Sequence, residues 1–267
     1  SEKFRGKGIF RKLSEFANNE INKYVDILYT FPNKASINTF TKYNNFKFIS
    51  SLPIYLLPIK MQNIIRSKFK FFGLENIFNF PVKIYLKLKK NNLDNLEKIV
   101  LINEFDDSVC NVFKKFNQLH SSYLLRDKKF LNWRYKESPN GNFYTFGLKR
   151  NNEITAVIVV KREKIFKNEA YIITDFAFSK DVKDLKKLLS NFYNTPDKNS
   201  LTIPDFVILS GLSPYLKSIK KCGLISVPQF LIPRKIKLLT KIVESSLKKG
   251  DIKYDSWLVT LGDWDVF

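Results

Sequence analysis

The stretch that decides the reading is Arg5-Gly6-Lys7-Gly8-Ile9-Phe10-Arg11-Lys12-Leu13, taken with the apolar periodicity that follows it. Two glycines permit a tight turn, and a helix beginning at about Ile9 points its first N–H groups back at that turn. The result is an anion cradle that suits a diphosphate. Arg5, Lys7, Arg11 and Lys12 add positive charge at short range. A basic glycine turn is also an ordinary way to start a helix, so the weight rests on what comes next.

Ile9, Leu13, Phe16, Ala17, Ile21 and Tyr24 recur at helical spacing. They predict a covering helix that buries this face and shows Glu15, Asn18, Asn22 and Lys23 to solvent. Val25 to Thr30 reads as a strand, and Phe31-Pro32-Asn33 ends it. A second helical stretch runs from about Ser36 to Asn44, and a last strand from Phe46 to about Leu57.

This order of basic Arg-x-x-Gly loop, helix, strand, Phe-Pro-Asn, short helix and Asn-Phe-Lys-Phe strand resembles the second half of a GNAT-family acyltransferase domain. More narrowly, RGKGIFRKL with YTFPNKAS is similar to bacterial GNAT-like proteins found among polysaccharide and surface-sugar genes. The resemblance covers about the first sixty residues. It implies that Arg5, Gly6, Lys7, Gly8, Ile9, Phe10, Arg11 and Asn33 bind the pyrophosphate end of acetyl-CoA or another acyl-CoA. Two positions depart from the family pattern. Phe10 stands where the last small residue of the loop is usual, which narrows the approach to the ligand. The Tyr commonly used as general acid is replaced by Phe40 or Thr41, depending on one gap, so protonation of the departing thiolate has no obvious donor. Tyr43 is close by, and its ring reads as packing.

The resemblance also places several strands and one or two helices upstream of Phe4, whereas the chain opens at Ser1. It therefore reads as a fragment of a GNAT domain, or else the rest of the chain supplies the missing layer and covers the sheet edge.

At 267 residues with 44% hydrophobic content, the chain can bury real cores in one large or two ordinary domains. Its formal charge of +21 favours acidic partners such as coenzyme phosphates, nucleotide-sugars, anionic lipid or nucleic acid. Most of that charge is Lys spread along the chain beside abundant Asn, Ile and Phe, as AT-rich coding produces. Cys110 and Cys222 pair with nothing by spacing, which fits a reduced, cytoplasmic setting. His120 is the sole histidine. A histidine-based metal site or a relay of two imidazoles is thereby excluded, no metal cofactor is expected, and the lone ring reads as an ordinary polar residue. No leader peptide and no run of eighteen apolar residues is visible.

From Lys60 to Lys90, Ile64, Phe69, Phe71, Phe72, Ile77, Phe78 and Phe80 alternate with Lys60, Arg66, Lys68, Lys70, Lys83, Lys87, Lys89 and Lys90 against the single Glu75. Such a segment suits either a connector that buries its aromatics between domains or an interfacial helix on anionic lipid. The connector is the expectation, with peripheral membrane contact through 60–90 as the alternative. The chain thus divides into 1–60, a GNAT half-domain with the CoA loop, 61–100, the connector, and 101–267, a second domain.

That second domain reads as helix Ser108 to Leu119, helix Asp127 to Lys136, and strands Phe143 to Leu148, Ile154 to Lys161 and Ala170 to Phe178. Helix Val182 to Phe192, strand Phe206 to Leu209, a helix opened by Pro214, a strand from Phe230 and a closing strand Trp257 to Leu261 follow. The order is again GNAT-like. The closing Leu261-Gly262-Asp263-Trp264-Asp265 and the run Leu124-Leu125-Arg126-Asp127 with Phe130 to Tyr135 resemble the C-terminal half of the same two-domain proteins. The fold class is therefore α/β (α+β), with tandem GNAT-like domains of mixed central sheets flanked by helices and the first domain incomplete.

The two strand-to-helix junctions differ. The first is Arg5-Gly6-Lys7-Gly8; the second is Ser179-Lys180-Asp181-Val182, without glycine and with an acid that can cap the helix itself. The second domain is therefore expected not to hold CoA. Its candidates for substrate binding are Arg126, Arg134 and Asp175, with Asp263 and Asp265 from the closing turn, and Trp133 reads as packing.

Two classes of function stand. One is an acyltransferase, most simply an N-acetyltransferase, acting on an amino-sugar, nucleotide-sugar or other cell-surface precursor and inactive as this fragment. The other is a catalytically silent GNAT-fold binding or scaffold protein in glycan assembly. Nucleic-acid binding from charge alone is the weakest reading.

Overall fold

The structure is a computed structural model that describes residues 6–60, 75–139, 141–165, 168–194, 202–232, 235–243 and 253–264. In chain order its elements are α1 (Ile9–Ile21), β1 (Ile27–Thr30), a π-helical turn (Thr39–Tyr43), β2 (Lys47–Ser51), β3 (Ile54–Pro58) and α2 (Glu75–Lys89). Next come β4 (Glu97–Ile102), α3 (Asp107–Asn117), β5 (Ser122–Tyr123), α4 (Lys128–Leu131) running into a second π-helical turn (Asn132–Lys136), β6 (Phe143–Arg150), β7 (Glu153–Ile165) and β8 (Asn168–Phe178). The chain continues with α5 (Val182–Asn191), β9 (Phe206–Leu212), α6 (Leu216–Ile219), β10 (Ile225–Ser226), β11 (Lys237–Ile242) and β12 (Trp257–Thr260).

Contacts divide these elements differently from the segments 1–60, 61–100 and 101–267. One compact unit is Ser1–Leu52 with Gln229–Tyr254; the other is Pro53–Pro228 with Asp255–Phe267.

In the first unit the sheet order is β1-β11-β2, with both pairings antiparallel. The apolar run expected as one strand from Phe46 to Leu57 is therefore two strands. Pro53 has no N–H to give a ladder. Leu52, just before it, donates its own N–H to the Ile236 carbonyl at 2.8 Å. The strand expected from Phe230 is instead a 3₁₀ turn at Gln229–Leu231, and the strand proper, β11, inserts between β1 and β2. A later part of the chain thus supplies a layer of this sheet.

The expected burial of α1 is reversed. Ser14 and Asn18 are its buried residues, while Leu13 and Phe16 are 62% and 67% exposed and Ile9, Ile21 and Tyr24 are also exposed. On the buried polar face, Asn44 donates through Nδ2 to Ser14 Oγ at 2.9 Å.

In the second unit the order is β10-β3-β9-β8-β7-β6-β4, with β12 pairing β9 and β5. The β6–β7 hairpin turns on Asn151 and Asn152 at φ 49° and 67°, the left-handed pair that a two-residue hairpin needs. Ala156 to Val160 of β7 are buried on both sides, with α3 and α5 packing against the strand. That explains an apolar run without alternation.

Strand β4 straddles the end of the segment read as connector, with Ile99 and Leu101 on either side of the boundary at residue 100. Its anchor is ionic. Glu97 is buried, accepts the Asp94 N–H at 2.8 Å and Lys187 Nζ at 2.8 Å, and is gripped by Arg150, which also reaches Asp184 Oδ1 at 2.6 Å. Burial opposes ionisation of Glu97, and these donors outweigh it, pulling the carboxyl down to about 2. A carboxylate whose pKa is depressed on folding stabilises above its unfolded value and loses that contribution as pH falls through its folded one. The expected result is that Glu97→Gln lowers unfolding free energy by about 2 kcal/mol at neutral pH. In urea titrations the gap between variant and parent should close as pH drops from the ordinary carboxylate range toward 2.

Candidate functional site

The basic glycine loop has the backbone its sequence calls for. Gly6 and Gly8 sit at φ 75° and 70°, left-handed values that disfavour a side chain although an added Cβ would meet nothing within 4 Å. Helix α1 starts immediately after Gly8, Lys12 N–H closes its first turn on the Gly8 carbonyl at 3.0 Å, no side chain caps it, and its first turn holds no acid. Its leading N–H groups and positive dipole end are therefore uncapped by any side chain.

The neighbouring residues divide between loop and packing. Arg5 lies outside the described residues, and Lys7 and Ile9 are exposed. Phe10 stands edge-on to Phe40 at 6.1 Å, which in turn meets the buried Phe46 at 5.3 Å. The ring in the usual small position is thus drawn into hydrophobic packing. Arg11 bonds Glu15 at 2.8 Å and holds its guanidinium 4.0 Å over the Tyr43 ring, so helix and π-turn meet through a cation–π contact. The Glu15 hydrogen bond raises the Arg11 pKa further. Asn33 caps the next helical turn, accepting the Ala35 and Ser36 N–H groups at 2.9 Å each.

The second junction is built the opposite way. Asp181 accepts the Lys183 N–H at 2.9 Å, and Asp184 adds a second carboxylate in the first turn of α5. Capped and negative, this terminus disfavours a phosphate.

The sheet beside it is also closed. Strands β8 and β9 run parallel and pair only over Ala170 to Ile173 against Phe206 to Leu209. Thr174 is the extra residue of a bulge, since Val159 pairs Asp175 and Val160 pairs Ile173. Beyond it β8 continues to Phe178 without a β9 partner. A crevice at the carboxyl ends of diverging strands is where α/β folds take ligands. Here the chain's own residues occupy it. Tyr215 packs against Phe178 at 5.0 Å and Phe116 at 5.9 Å. The 3₁₀ turn Leu261–Asp263 comes so close that a Cβ on Gly262 would lie 2.2 Å from Tyr135 Oη and 3.2 Å from Asp175 Oδ2.

This turn is where the substrate-binding candidates converge. Arg126, 1% exposed, donates to Asp175 Oδ2 at 2.6 Å, the Leu124 carbonyl at 2.8 Å, and Thr260 Oγ1 and Asp263 Oδ1 at 2.9 Å each. Tyr135 Oη donates to the same Asp175 oxygen at 3.0 Å, and Arg134 donates to the Gly262 and Trp264 carbonyls at 3.0 and 2.5 Å. Burial opposes charge on Arg126, and Asp175 and Asp263 outweigh it, raising its pKa. Burial and then the Asp175 charge push the Tyr135 phenol well up. Asp263 is raised by burial, with Arg126 opposing. The candidates are thus brought together, but as a buried clasp on the closing turn. Asp265 lies outside the described residues.

Trp133 is 56% exposed and its ring lies 6.0 Å from that of Phe130. His120 is a core residue satisfied at both nitrogens, by the Phe116 carbonyl and Ser213 Oγ at 3.0 Å each, and burial lowers its pKa. Burial also raises both thiols, Cys222 to about 11, so neither is an activated nucleophile. Among the described residues no group of three His, Cys, Asp or Glu is placed to hold a metal, and no helix is long and apolar enough to cross a membrane.

No family model and no curated protein sequence matches the chain. Solved structures do resemble it. A GCN5-related N-acetyltransferase from Anabaena variabilis ATCC 29413 superposes with a TM-score of 0.58 at 12% identity over 91% of this chain and 53% of that one. A conserved protein of unknown function from Enterococcus faecalis V583, described as a probable N-acyltransferase, gives 0.57 at 9% identity over 91% and 52%. The fold is GNAT-like. The chain spans about half the length of these two structures.

In this GNAT-like fold the clasp ties the closing turn to β8, which gives a direct test. Arg126→Met strands Asp175 and Asp263 as buried charges and should cost about 3–5 kcal/mol in denaturant unfolding. Arg126→Met combined with Asp175→Leu should recover part of that loss.

Proposed function

We propose that the chain carries the coenzyme-binding part of an acyl-CoA-dependent acyltransferase, most simply an N-acetyltransferase. The observation that carries this reading is the contrast between two helix starts in one chain: α1 follows two left-handed glycines with no cap, and α5 is capped by Asp181. The residues that would hold the coenzyme diphosphate are Gly6, Lys7, Gly8 and the first N–H groups of α1, with Arg5 and Arg11 supplying charge. When bound, acyl-CoA supplies the activated thioester. Open space around both glycine α-carbons is compatible with close approach of a phosphate to the backbone.

The chain's own contribution is binding and orientation. Phe40 packs inward and Thr41 donates to the Ile37 carbonyl at 2.9 Å, so neither is a free proton donor. Tyr43, half exposed and tied to α1 through Arg11, is the hydroxyl of the π-turn that could protonate a departing thiolate. The acceptor is an amine on a sugar or nucleotide-sugar of the cell surface; that choice rests on the sequence resemblance. The second unit acts as a scaffold without coenzyme. A catalytically silent binding protein is the competing reading, favoured by the closed crevice between β8 and β9.

Calorimetry with acetyl-CoA decides the first part. Gly8→Asp, which places a carboxylate in the cradle, should weaken binding at least roughly tenfold, whereas Asp181→Ser should leave it unchanged. Equal affinity of parent and Gly8→Asp would refute the reading. With a longer chain that includes any preceding sequence and a panel of amino-sugars, Tyr43→Phe should keep affinity and lower thiol release about a hundredfold. Binding without release from any acceptor would favour the silent scaffold.

A further inference from the structure

The basic aromatic segment finds no use in acyl transfer. Residues 61–74 lie outside the described residues, but α2 is described and carries an unexpected surface. Phe80, Ile84 and Leu88 recur at a spacing of four and are 66%, 43% and 77% exposed. Aromatic burial, expected of a connector, does not hold at Phe80. The opposite side of the helix is seated: Leu86 packs on the core, and Tyr85 donates through Oη to the Gly223 carbonyl at 3.0 Å. A Cβ on Gly223 would lie 3.3 Å from Lys89 Cβ and 3.4 Å from the Tyr85 ring, so the turn Lys220–Cys222 abuts α2 closely.

Charge is distributed on one pattern around this stripe. Lys83 and Lys87 lie one turn apart beside it, and Lys89 and Lys90 close the helix. Lys217, Lys220 and Lys221 are exposed on the abutting segment. Neither Phe80 to Lys90 nor Lys217 to Lys221 contains a carboxylate.

We propose that α2 with the Lys217 to Lys221 segment is a docking surface for an anionic membrane. An apolar stripe rimmed by lysines complements a lipid surface on both counts: the acyl boundary takes Phe80, Ile84 and Leu88, and the headgroup phosphates and carboxylates take the ammonium groups. A surface for nucleic acid would need the lysines and leave the apolar stripe in water. The inference is independent of coenzyme binding, which involves neither segment.

Vesicle sedimentation tests it with the chain as it stands. Binding is expected to vesicles of phosphatidylcholine mixed with phosphatidylserine and not to phosphatidylcholine alone, and it should weaken as salt rises. Lys83→Gln with Lys87→Gln should weaken binding roughly thirtyfold, at about 1 kcal/mol per lysine. Phe80→Ser with Leu88→Ser should weaken it more than roughly tenfold. Lys83→Arg with Lys87→Arg should bind like the parent, and all variants should keep the parent's circular dichroism because these side chains are exposed. Equal binding to neutral vesicles would overturn the proposal. So would lysine variants that lose binding while the Ser variant keeps it, with duplex DNA of arbitrary sequence competing for the surface.

Discussion

A guanidinium sealed from water by two carboxylates governs what the larger unit can do. Taking Arg126 out of solvent is costly, and only the near-complete set of partners from Leu124, Asp175, Thr260 and Asp263 makes the arrangement stable. Those partners come from a loop, the bulged strand β8 and the closing turn, so one side chain fixes three parts of the chain. The bulge at Thr174 helps by diverting β8 just before Asp175. Gly262 completes the fit, because a Cβ there would collide with Tyr135 Oη and crowd Asp175 Oδ2. The crevice that diverging parallel strands open is thereby filled from within. Among the described residues no side chain caps the start of α1, which follows two left-handed glycines.

Much of this was legible in the sequence where a local rule decides the outcome. Asp181 reads as a cap because an acid directly before an apolar-periodic run has few better uses, and Asn151-Asn152 reads as a tight hairpin because asparagine tolerates positive φ. The failures are all non-local. The apolar stripe of α1 predicted burial, but which face a helix presents depends on what packs on it, and here the face carrying Ser14 and Asn18 is the one that packs, with Ser14 bonded to Asn44. Pro53 signals a break, yet nothing near it says that β2 and β3 join different sheets. Strand β4 hid in a basic segment because its anchor, Glu97, finds Arg150 and Lys187 only after folding. Arg126, Arg134 and Asp175 stand out in the sequence by residue type alone, and their convergence on the closing turn depends on that turn returning to them in the fold.

The charge of the chain shows a similar split between composition and placement. Lysine spread along the sequence is uninformative as a total of +21. Placement makes it informative. Asp94, Glu97 and Asp184 hold Lys187 and Arg150 in a compensated cluster, whereas Phe80 to Lys90 and Lys217 to Lys221 contain lysines and no carboxylate. Segregation of this kind, next to exposed apolar side chains, is what distinguishes an interaction surface from a solvated one.

In the proposed function the start of α1 takes a diphosphate and the start of α5, capped by Asp181, does not. Amide hydrogen exchange with and without acetyl-CoA measures both in a single experiment. Added protection is expected over Gly6 to Leu13, with no change over Ser179 to Leu185. Protection over Ser179 to Leu185, with Gly6 to Leu13 exchanging as in the free chain, would contradict it.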